Sequence, residues 1–204
     1  MNEEIKKLDE MIAILEEFMS KIYDKYNELS REVVFSAMII KKTIDILAIS
    51  KHAIKDSIIT VQISLLRLLC DNCLAIQSVY ELDLKTVMDM MNNNQKVNTV
   101  MIDSEQNLSD GYLKRKVSEK YNGFDKLYRF ACEGVHFSKQ ALGGAFIETK
   151  TGKLKMNMKP GNKELKDEII MNNKSMITLC KVIMDMLKGL MKQLKFLILL
   201  PRNW

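Results

Sequence analysis

Punctuation is scarce in this chain. Two prolines and eight glycines serve 204 residues, too few for the tight turns a β-sandwich or barrel needs, so long helices are favoured. His52 and His136 are the only histidines, which leaves a two-histidine metal centre with little support. The four cysteines, Cys70, Cys73, Cys132 and Cys180, lack the dense spacing of a secreted disulfide framework and read as reduced thiols. No Gly-rich phosphate loop follows a strand pattern, and no Ser or Cys sits in a recognisable nucleophile motif. Met1 to Asp9 is charged and lacks the apolar core of a signal peptide. No run reaches the ~18 apolar residues that cross a bilayer. A cytoplasmic location without membrane contact is the expectation.

What is present is ordinary for a folded protein. Hydrophobic residues make up 47% and charged residues 28%, and the apolar ones are spread along the whole chain, which argues against disorder. The length suits one domain, 1–204, and neither an internal repeat nor a linker is visible. A net charge of +5 and a pI near 8.9 permit contact with nucleic acid or an acidic surface without demanding it. Most lysines alternate with Glu or Asp, as on solvated helix faces.

The periodicity predicts an all-α fold, a bundle of about five to seven helices. Residues 2–30 carry Ile5, Leu8, Ile12, Leu15, Met19, Ile22 and Tyr26 at helical steps. A second helix is expected over about 33–52. Residues 55–82 are apolar most of the way round, which marks a helix at the centre of a bundle. One polar stripe interrupts it, with Ser57, Thr60, Ser64, Arg67, Asp71 and Ser78. Leu84–Met91 continues helically until Asn92-Asn93-Asn94. Another helix falls within 109–120, Asn122-Gly123 makes a turn, and a helix runs from Phe124 to Leu142. Residues 145–158 read as a short β-hairpin around a Gly-containing turn. Pro160-Gly161-Asn162 then leads to a final helix over about 163–199.

One pair of side chains suggests chemistry. On the helix 124–142, Phe124, Leu127, Ala131, Val135 and Leu142 define an apolar face, and Asp125, Arg129, Cys132, Glu133, His136 and Gln140 the opposite one. Arg129 and His136 are seven residues apart, two turns or about 10 Å along the axis. A histidine titrates near neutrality and moves protons; an arginine grips a phosphate and stabilises developing charge. Together they could cleave RNA with no metal or cofactor, the 2′-hydroxyl acting as nucleophile. The competing reading is a solvated surface with His136 paired to Glu133 or Asp125. Lys114, Arg115, Lys116 and Lys139 are the candidate RNA contacts.

Arg67 needs a partner inside an apolar helix, because an unpaired buried charge is costly. Asp71, four residues on, is the simplest answer. The other is a polar network with Arg129, Glu133 and His136 across a helix–helix contact. Cys70-x-x-Cys73 with Cys132 and His136 could supply zinc ligands, but each cysteine is more simply a small core residue, and no metal is expected.

The run Arg129-Phe-Ala-Cys-Glu-Gly-Val-His136 resembles the R-x(4–6)-H motif of the HEPN superfamily. Phe130 departs from it, since many members carry a polar residue there. The chain also resembles, more loosely, bacterial helical proteins with an arginine on a central helix and a later Tyr…Val-His-Phe-Ser segment, carried here by Tyr128, Val135, His136, Phe137 and Ser138. The resemblance covers about residues 56–190. It implies a homodimeric ribonuclease in a toxin or antiviral setting, with Arg129 and His136 catalytic; Glu133, Arg67, Asp71 and Tyr128 are the candidate supporting residues. The alternative is a non-catalytic interaction or scaffold protein, a homodimer or antitoxin-like subunit with a protein partner.

Overall fold

Leu8, Met11, Leu15 and Ile22 recur at helical steps and form the buried stripe of the first helix, α1 (Asn2–Tyr26). The computed structural model describes residues 1–26, 29–102, 106–135, 146–148, 154–156 and 166–198. Seven α-helices among them build a bundle with one continuous apolar core. Helix α1 packs against α2 (Arg31–Lys55) and α7 (Lys166–Ile198). Ser30 caps α2, its hydroxyl accepting from the Val33 amide at 3.4 Å.

The end of α2 differs from the expected boundary near residue 52. Ser57 takes a left-handed conformation, φ 57°. The Ile58 amide donates to the Ala53 carbonyl at 2.8 Å and the Ser57 amide to that of Ile54 at 3.2 Å. This pair of bonds satisfies carbonyls the helix end would otherwise orphan, a role in which glycine usually occupies the left-handed position. With serine there, the sequence carries no glycine signal, and the predicted start of the next helix at 55 falls short of its observed start at 59.

That next helix, α3 (Ile59–Glu81), is the centre of the bundle, as expected. Its Leu66, Leu69, Cys70, Cys73 and Ile76 are fully buried, and it packs against α7, α6, α2 and α5. By length and composition alone α3 could cross a membrane, contrary to the expectation that no run would qualify; 56% of that stretch is buried in the bundle. Its polar stripe divides. Ser64 is exposed, Ser78 is buried and donates to the Ala75 carbonyl, and Arg67 and Asp71 lie half-buried between them. A second polar contact sits inside the α2–α3 interface: buried Asn72 donates to Thr43 at 3.1 Å, and Thr43 donates to the Ile39 carbonyl at 2.8 Å.

Asp83 caps α4 (Leu84–Asn92), which ends as predicted in the asparagine run, where Asn94 is left-handed. A 3₁₀ turn (Val97–Thr99) leads to α5 (Asp110–Lys120), capped by Ser109. Gly123, at φ +87°, turns the chain into α6 (Phe124–Val135). Two strands, β1 (Phe146–Glu148) and β2 (Leu154–Met156), pair antiparallel with Ile147 opposite Lys155. The turn expected between them, the second half of the predicted helix 124–142 and the loop at Pro160 lie outside the described residues.

The buried face of α6 overlaps the predicted one, since Phe124 and Ala131 are buried and Leu127 packs against the core, but it is rotated toward Tyr128 and Gly134. Phe124, Tyr128, Ala131 and Gly134 face inward, while Val135 is 50% exposed. Gly134 explains the rotation. A Cβ added there would lie 2.1 Å from Cγ2 of Ile63, so the bare backbone is what lets α6 approach α3.

Candidate functional site

Three helices meet where Arg67 of α3, Asp110 of α5 and Tyr128 of α6 converge. The Arg67 guanidinium donates to the Tyr128 hydroxyl at 2.8 Å and to Asp110 at 3.3 Å. Its carbon lies 4.4 Å from the centre of the Tyr128 ring, within cation–π range. Asp71, one turn along α3, forms an ion pair with the same group. The Tyr128 hydroxyl in turn donates to Asp110 at 3.3 Å. Burial pushes the Tyr128 phenol well above its ordinary range; Asp110 adds to this and Arg67 opposes it. The phenol is therefore a neutral bridge at physiological pH, not a base.

A second set of ions begins on the neighbouring turn. Asp125 accepts from Lys114 at 2.6 Å and from Arg129 at 2.7 Å. These two cations hold its carboxyl below the ordinary range, Lys114 most. Lys114 also sits 5.8 Å above the Tyr128 ring, so Tyr128 joins the two sets. Arg129 itself stays in solvent, with 61% of its side chain exposed.

The structure thus brings together Arg67, Asp71 and Tyr128 of the sequence candidates, and adds Asp110. No sequence spacing links Asp110 to Arg67; the only local signal is its place in the first turn of α5 behind the Ser109 cap. Arg67 and Asp71 do face α6, but their partner there is Tyr128 rather than Arg129 or Glu133, which are both exposed. Arg115 lies over the Tyr112 ring at 5.2 Å, and Lys116 pairs with Glu119 at 3.5 Å. Lys114 is committed to Asp125 and largely covered. His136 and Lys139 lie outside the described residues.

Chemically, two carboxylates on one guanidinium make the Arg67 cluster a poor seat for an anion, since a phosphate would have to displace Asp71 or Asp110. Its evident work is to lock α3, α5 and α6 together. Arg129 is different: it is held in place by one carboxylate and open to solvent, so it could meet a phosphate from outside. Cys70, Cys73 and Cys180 are buried free thiols and Cys132 is half-buried. No cluster of three metal-binding side chains occurs among the described residues. No family model matches the chain, and neither a curated protein nor a solved structure is found to be similar to it.

Proposed function

We propose that the chain is a HEPN-like, metal-independent ribonuclease that works as a homodimer, in a toxin or phage-defence setting. The observation that carries this reading is Arg129, an exposed guanidinium fixed by Asp125 at 2.7 Å, in sequence register with His136. In this scheme Arg129 holds the scissile phosphate. His136 moves the proton as the 2′-oxygen bonds to phosphorus and the 5′-oxygen leaves, which yields a cyclic phosphate and a 5′-hydroxyl. The Arg67, Asp71 and Tyr128 cluster positions α6, and Lys114, Arg115, Lys116 and Lys139 supply charge along the strand.

The test is cleavage of a mixed-sequence RNA by the purified protein with a chelator present. Activity is expected to persist, and to fall at least ~100-fold in both Arg129→Ala and His136→Ala, the range expected for loss of an acid–base group or a charge-stabilising donor. Full activity in His136→Ala would overturn the residue assignment.

A second reading, a non-catalytic interaction protein, is favoured by a separate observation. Helices α1 and α2 leave an open groove of about 440 Å³ lined by Met19, Tyr23, Ile40 and Ile44, with Tyr23 49% exposed. On this reading Tyr23→Glu breaks self-association or partner binding while Arg129→Ala changes nothing in cells. Sedimentation analysis of the two variants separates the cases.

A further inference from the structure

The far side of α6 faces α7 across an open groove of about 460 Å³, within the range of small-molecule sites. Its apolar wall includes Phe130, Leu179 and Val182. Asn172 lines the groove, is 1% exposed, and its amide nitrogen has no hydrogen-bond acceptor. A buried donor left without an acceptor is destabilising, so packing alone does not account for this amide. Lys126 on α6 and Lys174 on α7 stand on opposite banks. Neither forms an ion pair among the described residues, though Lys174 is near enough to Glu4 to help hold its carboxyl below the ordinary range.

The hydroxyls narrow the ligand. Ser175 and Thr178 donate their protons to the Met171 and Lys174 carbonyls of their own helix, at 3.1 and 2.9 Å. Toward the groove they can only accept. The site therefore offers an apolar wall that includes the rings of Tyr121, Phe124 and Phe130, an amide donor, two hydroxyl acceptors and two cations. A ligand that matches is planar, carries both a ring carbonyl and a ring N–H or amino group, and is an anion.

We propose that this groove binds a nucleotide whose base carries a ring carbonyl, free or as one residue of a single RNA strand, through Asn172, Phe130, Lys126 and Lys174. The ring lies against Phe130, a ring carbonyl accepts from Asn172, and the phosphate sits between the two lysines. The inference does not depend on cleavage, since a non-catalytic protein could bind through the same groove.

The test is calorimetric titration of the full chain with uridine monophosphate, uridine, inorganic phosphate, an eight-residue oligouridylate and laurate. Uridine monophosphate is expected to bind at least tenfold more tightly than uridine or phosphate. Asn172→Leu should weaken it tenfold or more without lowering the melting temperature, because the orphan donor is gone. Lys126→Glu, a surface change that leaves the fold intact, should weaken it similarly and flatten its salt dependence. Equal binding of the monophosphate and the oligomer assigns a free nucleotide; binding of the oligomer alone assigns an RNA residue. The proposal is overturned if neither nucleotide binds, if only laurate binds, or if Lys126→Glu binds like the wild type.

Discussion

The hydroxyl of Tyr128 lies 2.8 Å from the guanidinium of Arg67, sixty-one positions earlier in the chain, and the ring of the same tyrosine stacks on that guanidinium at 4.4 Å. One side chain thus supplies both a hydrogen bond and a cation–π face to the single arginine on the central helix. Tyr128→Phe keeps the ring and loses the bond to Arg67 and the one to Asp110. A loss of about 0.5–1.5 kcal/mol is expected, read as a lower urea midpoint. Arg67→Met should cost more, about 1.5–3 kcal/mol, because it leaves Asp71 and Asp110 facing each other without their cation. If Tyr128→Phe has no effect, the hydroxyl is not holding the helices.

Gly134→Ala sets two effects against each other. Helix propensity favours alanine by up to about 1 kcal/mol. The new methyl group would meet Ile63 Cγ2 at 2.1 Å and its Cβ at 3.1 Å, and overpacking typically costs about 1–3 kcal/mol. Packing should win, so the variant is destabilised. Adding Ile63→Ala should recover part of the loss, and the coupling in that double-mutant cycle is the decisive measurement.

Thiol reactivity should divide the cysteines. Burial pushes the Cys70 and Cys180 thiols up to about 12, and Cys73 also well above its usual value. A thiol is attacked as its thiolate, so these three should resist a disulfide reagent at pH 8 in the native protein. Half-buried Cys132 should react first. Mass spectrometry of partly labelled protein identifies the site; early labelling of Cys70 would contradict the packing.

Acid should loosen the α1–α7 contact. Burial pushes the Glu4 carboxyl up, but hydrogen bonds from Asn173 at 2.6 Å and Lys7 at 2.7 Å outweigh it and hold the carboxyl below its ordinary 4.5. A depressed folded value means the stabilisation is fully present above the ordinary value. It is lost as pH falls through the folded one. The urea midpoint should therefore drop below about pH 4.5. Glu4→Gln should lower the neutral-pH midpoint and flatten that drop.

Much of the fold can be read from the residues alone. The stripe through Leu8, Leu15 and Ile22 and the all-round apolar character of 55–82 are local signals, and helices follow local signals because their hydrogen bonds are local. Arg67 with Asp71 was legible for the same reason, being one helical turn apart. Asn122-Gly123 announced its turn because few residues other than glycine accept φ +87° cheaply.

Only the tertiary structure could decide the rest. Asp110 and Tyr128 reach Arg67 from helices whose position depends on how three surfaces pack, which no spacing encodes. The hydrophobic pattern placed Phe124 and Ala131 inward, but the close approach at Gly134 rotates the buried face of α6 beyond that pattern and leaves Val135 exposed. The end of α2 rested on a left-handed serine that composition does not flag. Local periodicity determined which segments are helices. Which of their polar side chains face one another, and which remain open to a ligand, depended on contacts between residues far apart in the chain.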